Sequence, residues 1–256
     1  KLVDTWAATA AGAFALSENN LYTTEAFRDY LERLTADGLL AFTRWGFDPP
    51  RESLRLVTLA RKALSGLGET EAWRHIVVLR DDAAEASGWG AQDTVLVFRN
   101  PVSNHDLTSI RTALGQRPGL QALYTPGDAA SNAFGHFLLD SNPAQFEAGY
   151  PFNITPVGDD RPFFFYTVQP RDIWSFLTHA PKAADYKINR ALPLLFELVA
   201  VSILATLIIL AVPPLLLRNR LPAGPGVRRS LLYFLCIGPG YILVEVALIQ
   251  KFVLFL

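Results

Sequence analysis

Residues whose types and spacing suit chemistry fall in three places. Near the start, Asp4-Thr5-Trp6 is followed by small residues from Ala7 to Ala13 and then by Ser17-Glu18-Asn19-Asn20-Leu21-Tyr22-Thr23. An acid closing a buried strand (Leu2-Val3), ahead of a loop of small side chains, has the layout of a general base under a lid. The same residues also suit a plainer role, with Asp4 ending the strand and Ser17 and Asn19 forming turns. Further on, Asp159-Asp160-Arg161-Pro162 precedes Phe163-Phe164-Phe165-Tyr166. Two adjacent acids suit a cationic amine. The reading preferred here is structural: Arg161 pairs with an acid, and the aromatic run packs at the headgroup level of a membrane beside Trp174 and Phe176. The third place is apolar sequence near the end, where Glu197, Glu245 and Lys251 interrupt long hydrophobic runs. A charged group at the centre of a bilayer costs roughly 2.5–3.5 kcal/mol on insertion scales, so such a residue is expected to face protein, water or a partner.

Several kinds of chemistry are disfavoured by the same inspection. The four histidines, His75, His105, His136 and His179, are too scattered for a local metal-ligand pattern, so no metal site is expected. The one cysteine, Cys236, lies in apolar sequence and has no intrachain partner for a disulfide. Gly66-Leu67-Gly68 ends a helical pattern instead of opening one, which makes it a cap and not a phosphate loop. Asn153-Ile154-Thr155 fits a glycosylation triplet but is given no weight. Residues 191–256 carry a net charge of +3 and the remainder −4, which gives no support for a nucleic-acid surface.

The elements that must position these residues follow from hydrophobic period. Phe27, Tyr30, Leu31 and Leu34 mark an amphipathic helix over Thr24–Ala36, stopped by Asp37-Gly38. Leu39–Trp45 reads as a strand, and Pro49-Pro50 opens a helix over Arg51–Leu67 with Leu54, Val57, Ala60 and Leu64 on one side. His75–Leu79 and Thr94–Phe98 are β-branched runs with no helix-length segment between them, so they should pair antiparallel. Further helices are expected around Asp106–Gln116 and Asp128–Leu139. The order implies an α/β fold: the second half of a doubly wound sheet, with Leu39–Trp45 among its parallel members, ending in an antiparallel hairpin. Its other half is expected upstream, since the chain reads as an internal fragment of a longer protein.

The apolar runs set the remaining boundaries. Ala191–Leu217 is long enough for a transmembrane helix, which Pro213-Pro214 should kink or end. Residues 218–230 form a Pro, Gly and Arg loop, and 231–256 a second span broken or kinked at Gly238-Pro239-Gly240. The expected organisation is therefore 1–150 as α/β domain, 151–190 as an aromatic and Pro-rich linker at the membrane surface, then the two spans.

Three stretches carry a resemblance to a known family. Asp4-Thr5-Trp6 with Ser17 to Phe27 and Leu31 to Leu40, then Asp159 to Tyr166, then Leu232-Tyr233-Phe234 with Leu243 to Leu256, resemble the spermidine synthase-like multi-pass membrane proteins of bacteria. That resemblance implies the class I methyltransferase fold and a donor that is S-adenosylmethionine or its decarboxylated form, bound by a loop upstream of Lys1. It implies a small nucleophilic acceptor, a polyamine among the candidates. Asp4 takes the catalytic role, although it matches the later acid of the family's gate motif, and Thr5, Glu18, Asn19 and Tyr22 line the substrate. The implied setting is the bacterial inner membrane, with further transmembrane helices of the same chain as partners. Basic residues flanking the first span, four after it against three before, point to an external soluble domain. A cytosolic sulfonium donor requires an inward-facing domain, which outweighs a bias of one charge. A ligand sensor without catalysis, or a transport-linked module using Glu245, is the alternative.

Overall fold

A computed structural model describes residues 18–82, 91–129, 131–167, 169, 191–216 and 226–253. The chain divides into two compact units, 1–198 and 199–256. Asp4 and Thr5 lie outside the described residues, as do Trp174 and Phe176.

In the first unit a 3-10 turn, Asn20–Tyr22, leads into helix α1 (Thr24–Arg33). Strand β1 (Leu39–Gly46), helix α2 (Glu52–Gly66), a 3-10 turn (Ala72–His75), β2 (Ile76–Asp81) and β3 (Ala91–Phe98) follow. Helix α3 (Asn104–Gln116), β4 (Leu120–Tyr124) and two short helices, α4 (Ala133–Leu139) and α5 (Pro143–Gly149), complete the regular elements of this unit up to residue 149. Local chemistry explains the helix starts. Thr23 accepts from the Ala26 N–H, Asn132 from Phe134 and Gly135, and Ser103 with Asp106 forms a reciprocal capping box, each satisfying donors that the first turn leaves free. Strand β4 and helix α5 were not expected from the sequence; Leu120-Gln121-Ala122-Leu123-Tyr124 lacks the alternation that marks a half-buried strand.

The sheet has the order β1-β3-β2-β4, and every pairing is antiparallel. The β2–β3 hairpin is as expected, with Ile76 opposite Val97 and Val78 opposite Val95. Parallel pairing of Leu39–Trp45 is not observed. Among the described residues, β1 pairs only with β3, because β3 returns between β1 and β2. Both flanking strands are antiparallel to β3, so β1 and β2 run in the same direction with α2 as their crossover.

Register sorts the face bearing Val95 and Val97 into three rungs. Leu40, Val97 and Ile76 form one, Phe42, Val95 and Val78 the next, and Arg44, Asp93 and Arg80 the third. Two apolar rungs are followed by a charged one at the carboxyl ends of β1 and β2. Side chains of one strand alternate between faces, which is why Asp93 shares a face with Val95 and Val97.

Helix α2 is buried almost all round: every residue from Glu52 to Ala60 is buried. The sequence pattern anticipates a single apolar side, with Leu54, Val57, Ala60 and Leu64. Its polar side is covered too, by residues 150–167, and this overturns the headgroup reading of the aromatic run. Phe164 and Phe165 lie in the same core cluster as Leu54, Leu56 and Val95. Arg161, Asp159 and Asp160 are exposed.

The second unit and the helix leading into it are apolar. Helix α6 spans Ala191–Leu216, and helix α7 spans Val227–Val253. Among the described residues one helix, α7, holds a window (Leu232–Ile249) long and apolar enough to cross a membrane, whereas the qualifying stretch of α6, Glu197–Leu210, is shorter. The backbone of α6 remains helical through Pro213-Pro214, and α7 continues through Pro239, so none of these three prolines ends its helix.

Helix α5 also carries a pH-sensitive acid. Burial pushes the Glu147 carboxyl above its usual value of 4.5, while Arg61, Lys62 and Arg55 oppose the shift. A carboxyl raised in the folded state binds more protons there than in the unfolded chain, so it withdraws stability as pH rises through the interval between the two values. Glu147→Gln is therefore expected to gain stability relative to wild type as pH rises above the ordinary glutamate value of 4.5 in equilibrium unfolding. A difference independent of pH would contradict the burial of this carboxyl.

Candidate functional site

In α/β sheets, ligands bind outside the carboxyl ends of the strands. In this chain that end carries the charged rung, and two segments distant in sequence close over it. Asp93 is fully buried and accepts two bonds from Arg80, Nε to Oδ1 at 2.6 Å and Nη2 to Oδ2 at 3.0 Å. Ser53, in the first turn of α2, donates its hydroxyl to Asp93 Oδ2 at 2.7 Å. Arg80 also donates to the Phe47 carbonyl at 3.1 Å. The hydrogen bonds from Arg80 to Asp93, and then the carboxylate charge itself, hold the guanidinium above its usual pKa. Gly46 permits this geometry, since a Cβ there would meet Asp93 Oδ1 at 2.6 Å.

Arg44, the third member of the rung, is 2% exposed. Its guanidinium lies 4.4 Å from the Tyr22 ring centre, 4.9 Å from Phe165 and 5.7 Å from Phe164. Tyr22 in turn stacks on Phe164, with ring centres 4.7 Å apart. These contacts bring together the 3-10 turn at 20–22, the end of β1 and the Phe164-Phe165 pair.

The carboxy-terminal segment is itself held by α2. Arg55 is 1% exposed and donates to the carbonyls of Thr155 (3.0 Å), Phe163 (3.3 Å), Phe164 (2.6 Å) and Tyr166 (2.8 Å). Burial lowers its pKa to about 10, against the opposing charges of Glu52 and Glu147. One turn on, the Thr58 hydroxyl donates to the Ile154 carbonyl at 2.7 Å. Tyr150 closes the far side by donating to the Pro50 carbonyl at 2.8 Å, and burial raises its pKa.

The residues named from sequence take up different places. Glu18 is exposed. Asn19 caps the 3-10 turn through its side chain, which accepts from the Leu21 N–H at 3.1 Å, and its own N–H donates to the Pro162 carbonyl at 2.8 Å. Tyr22 is 4% exposed, and its ring forms part of the core next to β1. Glu245 is exposed on α7 in the other unit, and Lys251 belongs to the same helix. Sequence reasoning missed Arg44, Ser53, Arg55, Arg80 and Asp93. The available signal was a charge at an inward position of a β-branched run, Asp93 two residues before Val95.

Chemically, the rung is a charge network. Its one hydroxyl, on Ser53, donates to a carboxylate already engaged by Arg80, so these groups do not compose a nucleophile with a free base. Among the described residues no group of three or more His, Cys, Asp or Glu is placed to hold a metal. An open groove of about 460 Å³ lies at the other end of β2, lined by Trp73, Arg74, Val102, Ser103 and Gly127 among others. Two of its polar side chains are engaged: Arg74 pairs with Glu71 at 3.1 Å, and Ser103 with Asp106. Comparison with family models gives no match, and neither curated proteins nor solved structures supply one.

Removing one partner of a buried ion pair leaves the other charge uncompensated, at a cost of about 3–5 kcal/mol. Asp93→Ala is expected to lose that much in urea unfolding of the whole chain in detergent, and Asp93→Leu with Arg80→Met to recover most of it. A loss below about 1 kcal/mol for Asp93→Ala would show that the rung does not hold the strands.

Proposed function

We propose that this chain is part of a membrane-associated, spermidine synthase-like transferase that uses S-adenosylmethionine or its decarboxylated form on an amine or another small nucleophile. The observation that carries the reading is the β1-α2-β2 crossover with β3 inserted antiparallel: two strands run the same way on either side of β3, and the carboxyl end of β1 lies under Tyr22, Phe164 and Phe165. Same-direction strands joined by a helix are a feature of doubly wound sheets, and this supports the methyltransferase-like winding. The resemblance of residues 4–40, 159–166 and 232–256 points the same way. Asp4 is the proposed base and Glu18, on the exposed approach to Tyr22, the proposed contact for a cationic acceptor. Chemistry of this class depends mainly on holding donor and acceptor in line. The proposed setting is the bacterial inner membrane, with the α/β unit facing the cytoplasm, where the donor is made.

A second reading is favoured by one observation, the mutual engagement of Ser53, Asp93 and Arg80. A rung without a free base suits a module that binds an adenosyl ligand or polyamine and reports it without turnover.

Isothermal titration of the full-length protein in detergent with S-adenosylmethionine, decarboxylated S-adenosylmethionine and putrescine, followed by product analysis, tests both. Donor binding with product formation, lowered at least tenfold by Asp4→Asn, supports the transferase. Binding without product supports the sensor. Absence of binding to all three would overturn both readings.

A further inference from the structure

Residues 19–24 and 157–166 are fastened to each other by backbone and side-chain bonds. The Asn19 N–H donates to the Pro162 carbonyl at 2.8 Å and the Thr24 N–H to the Val157 carbonyl at 2.9 Å. The Thr24 hydroxyl reaches the same Val157 carbonyl at 3.2 Å, and the Asp159 N–H donates to Glu25 at 3.2 Å. Tyr22 stacks on Phe164 between them. At the carboxyl end of β1, Arg44 presents one planar cation to a ring from the first segment and two from the second. The three rings form a cage of the kind that takes a quaternary ammonium or guanidinium, and the chain's own arginine fills it.

We propose that Arg44 is a latch: the two segments form one strap over the carboxyl end of β1, and loss of the caged cation loosens both together even though Arg55 still holds the Phe163, Phe164 and Tyr166 carbonyls. This does not depend on the proposed transfer chemistry, because it concerns only how the strap is held. Arg44 acts as a positioning residue, and a guanidinium supplied from solution should replace it when its side chain is removed. A strap held by backbone bonds alone would be indifferent to the cation.

The test is hydrogen–deuterium exchange of the full chain in detergent, comparing wild type, Arg44→Lys, Arg44→Met and Arg44→Ala. In Arg44→Met the peptides covering 19–24 and 157–166 should exchange at least tenfold faster, in step, and by a clearly larger factor than those covering β2 and β3. Arg44→Lys should fall between Arg44→Met and wild type. Millimolar guanidinium, far below denaturing levels, should return Arg44→Ala toward wild type, and sodium at the same concentration should not. Faster exchange in only one of the segments, an equal rise in β2 and β3, no change in Arg44→Met, or no response to guanidinium would each overturn the latch.

Discussion

The first unit depends on one buried cation. Burying a guanidinium is unfavourable unless its donors find acceptors with good geometry, and Arg55 finds its acceptors in four backbone carbonyls of a segment about one hundred residues away. Backbone carbonyls in an irregular segment need partners as much as the cation does. The two requirements cancel only when residues 154–167 lie along α2. With that segment in place, Phe164 and Phe165 have one position, and their rings with Tyr22 enclose Arg44. A long-range tether of this kind lets a stretch without helix or strand enter the core.

Charge placement within the sheet follows similar logic. Two apolar rungs face α2 and give way to Arg44, Asp93 and Arg80 where the helix begins. An ion pair at this depth adds little net stability over apolar packing, but it penalises a register slip, because a shift of one residue turns Asp93 to the other face and leaves the half-buried Arg80 without its carboxylate. Ser53 and Gly46 fit the same account, one by supplying a third donor and the other by leaving room for the carboxylate.

Local pattern made the elements legible and left their partners hidden. Phe27 and Leu31 at helical spacing and the β-branched runs at 75–79 and 94–98 report on neighbours within a few residues. The insertion of β3 beside β1 depends on contacts about fifty residues apart, which alternation does not encode; hence the unmet expectation of a parallel Leu39–Trp45. The run Phe163–Tyr166 misled because aromatic residues before an apolar stretch suit a membrane surface as well as a core, and the deciding residue, Arg55, sits in a helix whose pattern shows only its apolar side. For the candidate site, Asn19 and Tyr22 were found through their sequence neighbourhood, and the structure gives them capping and packing contacts. The charged rung needed the register before its members could be recognised as neighbours.

The central claim is that the Arg55 guanidinium holds residues 154–167 against α2. It is tested most directly by the rate of chymotryptic cleavage at Phe163–Tyr166 in the native full-length protein in detergent. A lysine keeps the charge but cannot offer a planar fork to several carbonyls at once. The account predicts that cleavage in Arg55→Lys and Arg55→Met is at least tenfold faster than in wild type, at these bonds before any other in the first unit. Equal rates in all three proteins would contradict it.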